Sequence, residues 1–291
     1  MKKLLLAFAL LFSFGNAYSY FDGGLNYTSG SHGYIGYDGY FLIGSEGWWL
    51  KPEYSSHKWT DLPNDKNINK FFARFGLEKS LYTASFLAGY NPKVYDTDAK
   101  YLGADITFSL NPTSSSKKRL AGPNSGFAPR SASGVTQIDI GAGVNLTGYT
   151  NDKTDKDLLQ TDYSLFAGAK ILMAQIAVNY TFSKYDKDIE NNSPNVARLT
   201  LKYPGMSSYL YIFPKSNFNV RLDLLGQPIV TPFISYTKTK FEESGNDDLN
   251  TYRVGAYMDL NMVTASVSYE TYDPSGSNRV NFVSVSAGLR F

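Results

Sequence analysis

The 291-residue chain contains no cysteine and only two histidines. A disulfide scaffold, a thiolate metal centre and a cysteine nucleophile are therefore excluded. His32 and His57 are too few for a His-rich metal centre. Charge of one sign is also missing: 28 basic and 26 acidic side chains leave a net charge of +2, with no basic footprint for nucleic acid. Beyond residue 20 no apolar run approaches the ~20 residues that a membrane-spanning helix requires. What is plentiful is aromatic surface. The chain has 23 Tyr and 19 Phe against 3 Trp, with 43% hydrophobic residues overall, a composition that argues against disorder.

Residues 1–19 read as a secretory signal. Lys2-Lys3 form a basic start, Leu4 to Phe12 an apolar stretch, and small residues around Ala17 or Ser19 a cleavage site. The apolar stretch is too short for a spanning helix. The remainder, 20–291, reads as one domain.

Within that domain the apolar residues recur with period two. Ile138, Ile140, Ala142, Val144 and Leu146 alternate with polar or small residues. So do Ile176 to Phe182, Phe218 to Leu224, and Val263 to Tyr269. Such stretches predict strands with one apolar and one polar or small face. Polar breaks at 28–31, 58–67, 151–156, 186–194, 242–248 and 273–278 tend to alternate with tight turns at Gly44-Ser45, 226–228 and 260–262. A soluble sandwich has no reason to keep its ends so different. A transmembrane antiparallel up-and-down barrel does, because short turns lie on one side of the membrane and longer loops on the other. Strands in lipid must also close into a ring to pair every backbone group.

The final segment, Ser284 to Phe291, resembles the terminal targeting strand of Gram-negative outer-membrane β-barrels of porin type. Ser284, Leu289 and Phe291 match that pattern, whereas Ser286 stands where the pattern has glycine. The resemblance implies insertion by the barrel-assembly machinery, a location in the cell outer membrane, and contact with outer-membrane lipid and lipopolysaccharide. Counting back from Phe291 gives 16 strands: 20–28, 32–43, 46–57, 67–79, 81–95, 98–110, 135–149, 161–171, 173–185, 195–203, 206–213, 217–226, 228–240, 250–260, 262–273 and 279–291. Loss of a pair would give 14, and 12 is a further alternative. Segment 206–213 has no polar face. Segment 111–134, containing Lys117-Lys118-Arg119, falls on the short-turn side by parity. It is either a periplasmic segment or inward-folding plug, or an external loop beside a missed strand; the second is preferred.

With polar faces inward, the first half of the chain contributes Asp22, Asp38, Glu53, Glu78, Asp105, Asp139 and Asp162 against Lys51 and Arg74. The second half contributes Lys170, Arg198, Lys202, Arg221, Arg253 and Arg290 against Asp223, Asp259 and Glu270. Acidic and basic walls would then face each other across a wet lumen, as in the constriction of general porins. Arg198, Lys202, Arg221 and Arg253 would attract anions. The alternative is that these charges pair and fill the lumen. A barrel of 14 or more strands is too wide for side chains alone to fill, so a water-filled passage is the default unless loops or 111–134 obstruct it.

Catalysis has little support. Neither histidine has a serine two residues on, as a barrel phospholipase needs, and no histidine follows residue 57 to complete the Asp-x-His of a barrel protease. His32 and His57 read as loop or interface residues. No cofactor or metal is expected. The reading is a pore for passive passage of small hydrophilic solutes. The alternative is a closed structural or adhesive barrel acting through charged outer loops such as 152–156, 186–188, 242–243 and 247–248.

Overall fold

The computed structural model describes residues 20–61, 67–94, 96–110, 119–123, 137–152, 156–189, 213–225, 229–243, 248–260, 262–274 and 279–290. Residues 1–19, which read as a signal, and Phe291 lie outside them.

Fourteen strands form one closed antiparallel ring. They are β1 (Tyr20–Gly30), β2 (Tyr34–Ser45), β3 (Trp48–Trp59), β4 (Ile68–Glu78), β5 (Tyr82–Val94), β6 (Thr97–Leu110), β7 (Gln137–Asn151), β8 (Lys156–Ile171), β9 (Ala174–Tyr185), β10 (Pro214–Leu224), β11 (Val230–Phe241), β12 (Leu249–Asp259), β13 (Val263–Pro274) and β14 (Val280–Arg290). Each pairs with its neighbours in sequence, and β1 pairs with β14 to close the ring. Closure leaves no strand edge to pair with other chains.

The count corrects the expected 16. β9 pairs directly with β10, Asn179 opposite Asn219, so 195–203 and 206–213 have no place in the ring. The physical reason is the one visible in Tyr209 to Phe213: a segment apolar on both faces does not suit a wall that separates lipid from a polar interior. Residues 190–212 lie outside the described residues; Phe213, just past them, is wholly buried. The missed-strand reading of 111–134 is likewise corrected, because β6 pairs directly with β7, Asp105 opposite Gly143. The connection therefore stays at the end of the barrel that carries Tyr20 and Arg290, called here the near end.

Apart from the β6–β7 connection, the near-end hairpins are tight. Glu46 and Gly47 join β2 to β3, where Gly47 has φ +86°, and Leu172 and Met173 join β8 to β9. At the far end the longer connections are 60–67, 186–213 and 242–248, whereas 95–96 is tight, with Asp96 at φ +66°.

Period two sets the two surfaces. Leu102, Leu165, Phe86, Ile140, Val254 and Val267 all point outward, and Leu102 is 63% exposed. So wide an apolar belt is stable only against acyl chains. Near its far edge, tyrosines pair with aromatics on adjacent strands: Tyr27 with Tyr37, Tyr54 with Phe71, and Tyr236 with Tyr252, at 5.1–5.4 Å between ring centroids. Three tyrosine hydroxyls there donate to the second residue of a strand: Tyr54 to Asn69, Tyr236 to Asn250 and Tyr269 to Asn281, at 2.8–2.9 Å. Rings that face lipid while their hydroxyls find polar partners are the physics of an aromatic girdle at the membrane interface.

Candidate functional site: the barrel interior

The inward face carries three layers. At the far end sits an apolar collar. Tyr34, Trp59, Ile68, Val94, Leu249, Tyr272, Val280 and Phe282 form one buried cluster, with Tyr34 edge-on to Trp59 at 4.9 Å and to Phe282 at 5.0 Å. Ala99, Tyr101, Tyr149, Leu158, Ile189 and Phe213 form another, Phe213 lying 5.6 Å from Tyr149 and 5.3 Å from Tyr185. His57 belongs to this layer: it is 6% exposed, on the inner face of β3, 5.3 Å from the Trp59 ring. That corrects its reading as a loop or interface residue, while His32 does sit in the β1–β2 turn. The collar is interrupted at β10–β11, where the buried Asn217 and Asn219 donate to Thr239 and Thr237.

Below the collar lie the charges. Every described residue of the expected set faces inward, but the charges do not stand as two opposed walls. Arg74 of β4 reaches across β5 to bind Ser85 at 2.8 Å and the Asp105 carboxylate of β6. The small serine lets it pass, and Ser85 itself donates to Asp105 at 2.6 Å. Asp162 accepts from Gln160 and Ser183. Arg221 clasps Asp223 through Nη2 at 2.6 Å and Nε at 3.0 Å. Its guanidinium covers the Phe233 ring at 4.1 Å, and Arg253 lies on the same ring at 5.6 Å. Arg253 donates to Ser268 at 2.7 Å and lies 3.8 Å from Glu270. Arg290 bridges Asp22 at 3.2 Å and Asp259 at 2.9 Å across the closing seam. Lys51 pairs with Glu53. Arg198 and Lys202 lie outside the described residues. Ion pairing over short range, within a strand or across one or two neighbours, relieves the desolvation that unpaired charges would carry, and stands where two opposed walls were expected.

The third layer was not foreseen in detail. Residues 119–123, from the long β6–β7 connection, lie inside the barrel at its near end. Arg119 donates to Thr83 of β5 at 2.7 Å, to Ser109 of β6 and to the Lys79 carbonyl at 2.8 Å. The Leu120 N–H binds Asp139 Oδ2 of β7 at 2.6 Å, with Ser109 and Gln137 also donating to that carboxylate. The Gly122 N–H binds Asn179 Oδ1 of β9 at 3.2 Å, and Ala121 packs on Phe166 and Ala177. Gly122 has φ +81°, and a Cβ there would lie 2.4 Å from the Phe166 ring. A Cβ on Gly168 would meet that of Leu120 at 2.6 Å. Arg119, Leu120 and Ala121 are all 3% exposed or less.

Sequence reasoning also omitted Lys70, which faces inward on the same side of β4 as Arg74, opposite Ser55 of β3, and is 2% exposed. Parity with Arg74 alone would have found it. The collar aromatics carried a weaker signal: bulky rings on the otherwise polar face, always at the far end of a strand. Of the terminal strand, Ser284 faces inward to share a hydrogen bond with Thr28 at 2.8 Å, and Leu289 faces lipid.

Exposure inside the barrel is one-sided. The inward residues of β6 to β9 are nearly all buried, whereas Asp22, Asn26, Asp38, Tyr40, Lys51, Glu53, Ser235, Arg253, Thr264, Ser266, Ser286 and Arg290 are partly exposed.

No protein-family model and no curated protein matches the sequence. Among solved structures, OccD3 (OpdP) of Pseudomonas aeruginosa superposes with a TM-score of 0.51 at 9% identity, covering 94% of this chain and 90% of that one. CdiB from Acinetobacter baumannii superposes with a TM-score of 0.50 at 10% identity over 94% of this chain. The chain spans about 60% of the length of CdiB. The outer membrane protein OprD from Pseudomonas aeruginosa is similar at 9% identity and a TM-score of 0.44, covering 94% of this chain and 93% of that one. The fold is that of a porin-type outer-membrane barrel. A closed ring, a lipid-facing belt and an aromatic girdle place the chain in the outer membrane.

Proposed function

We propose that the barrel passes small hydrophilic solutes passively, along an off-centre path beside β1–β3 and β11–β14. The observation that carries this reading is the one-sided exposure of the interior. Short polar side chains (Asn26, Ser235, Thr264, Ser266 and Ser286) leave room for water there, and the accessible charges Asp22, Asp38, Lys51, Glu53, Arg253 and Arg290 border the same space. Rings of charged and polar groups of this kind set which solutes enter a pore. Asp105, Asp139 and Asp162 belong to the buried wall and hold structure; of the anion-attracting set, Arg253 borders the path, and Arg221 lies behind it on the same Phe233 ring. Insertion by the barrel-assembly machinery and packing against lipopolysaccharide belong to the same reading, as does the absence of a catalytic role.

The second reading is a closed barrel acting through its outer loops. The collar and the pairing of lumen charges favour it, since apolar constrictions dewet and stop ions. Single-channel recording in planar bilayers separates the two. Steady current steps support the pore; silence from protein that shows heat-modifiable gel mobility would leave only the closed barrel.

A further inference from the structure

We infer that residues 119–123 are a built-in lumen insert that narrows the near end of the passage and sets its size limit. This rests on the pore reading and adds to it the element that determines which solutes fit.

A connection of this length at a tight-turn end has no need to enter the barrel, and burying its backbone requires partners for every polar group. The wall supplies them for the Leu120 and Gly122 N–H groups and the Leu120 carbonyl. Thr83, Ser109, Asp139 and Asn179, on β5, β6, β7 and β9, each bind a group of the insert, and Gln175 Nε2 reaches the Leu120 carbonyl at 3.4 Å. The cradle beneath is shaped by what is missing. Gly168 and Ala177 leave the hollow that Leu120 and Ala121 occupy, and Gly141 leaves room for the Phe166 ring that meets Gly122. Polar anchors on four strands, an apolar seat on β8 and β9 and a left-handed glycine at the contact point make a site matched to this one segment. The seat spans β5 to β9, the wall whose inward residues are nearly all buried. The path is left to the opposite side. The insert therefore fills the near end of the β5–β9 side, as the Tyr101, Tyr149, Leu158 and Phe213 cluster fills its far end.

The test uses the full-length protein in membranes. Gly122→Val puts a side chain into the Phe166 ring and a β-branched residue at a left-handed φ, evicting the insert without altering the wall. Asp139→Ala removes its carboxylate latch from the other side. Conductance grows with the free cross-section, so clearing the insert from five of fourteen strands should raise unitary conductance roughly twofold, and admit larger sugars in liposome swelling. Because the chain has no cysteine, Ala121→Cys with Ala177→Cys provides one clean pair, between the insert and β9 within the same buried cluster. Oxidation should cross-link it and fix conductance at the wild-type level, even in the Gly122→Val background. All variants are checked for heat-modifiable mobility. A silent wild type with a conducting Gly122→Val variant upholds the insert and overturns the pore reading for the native chain. Equal conductance and equal sugar cutoff in wild type and both release variants overturn the insert and leave the pore. Failure to cross-link overturns the seating itself. Silence in every variant overturns both.

Discussion

Val267 and Ser266 are adjacent on β13 and point in opposite directions, which makes them a direct probe of which surface meets lipid. Val267 is 52% exposed and lies between Val263 at the near edge and Tyr269 in the girdle, so its depth is that of the hydrocarbon core. Val267→Arg puts a guanidinium among acyl chains, at a cost of about 2–4 kcal/mol at this depth. Ser266→Arg enters the partly exposed side of the lumen. It loses a hydrogen bond with Ser286, worth ~0.5–1.5 kcal/mol, and keeps its charge in water. The two variants should differ by about 2 kcal/mol, a factor of roughly 30 in the unfolding equilibrium. Guanidinium unfolding in lipid vesicles, followed by tryptophan fluorescence and by gel mobility, reads that gap from the shift in midpoint at constant slope. Equal losses at the two positions, or a larger loss for Ser266→Arg, would refute the assignment of faces and the membrane reading with it.

Arg74→Ala leaves Asp105, whose side chain is 3% exposed, without its counter-charge, and should destabilise the barrel by about 3 kcal/mol in the same assay. Adding Asp105→Asn should restore much of that loss; no recovery would mean that the pair is incidental. Gly76→Val drives a Cβ to 2.0 Å from the Trp49 ring, costs about 1–3 kcal/mol and should shift the tryptophan emission. Unchanged emission and stability would show that the ring has room to move. Arg290→Gln removes the cation that bridges Asp22 and Asp259 beside the proposed path. Reversal potentials in a salt gradient should then move toward cation selectivity, and a shift toward anions would contradict the position given to that path.

The architecture was legible because period two is enforced twice, by lipid outside and by polar groups inside. Ile138 to Leu146 and Val263 to Tyr269 each alternate without error, and both run as strands with those apolar side chains outward. The strand count was less legible, because Tyr209 to Phe213 are β-prone residues with no polar alternation, and propensity alone does not say whether such a run joins the wall. The inward direction of Asp105, Asp162, Arg221 and Arg253 followed from parity. Their pairing did not, because it depends on stagger between strands: Arg74 meets Asp105 only where Ser85 lies between them. The insert had a compositional trace in Lys117 to Arg119 but no periodicity. Its seat is written in the absence of side chains at Gly141 and Gly168, which cannot be separated from ordinary strand glycines without the fold.

The eccentric interior divides the barrel into two kinds of wall, and the division has consequences. On β6 to β9, Asp139, Phe166, Ala177 and Asn179 face a packed insert, and their contacts stabilise the folded state as core contacts do. Truncations there act on unfolding. On β12 to β14 and β1, short side chains such as Asn26, Thr264 and Ser286 are partly exposed, and enlarging them should cost little stability while narrowing the proposed path. The same substitution, small to large on an inward position, should therefore lower stability on one wall and conductance on the other. A uniform response around the ring would mean that the open space is central, and that Arg290, Asp22 and Arg253 border nothing that their opposite wall does not.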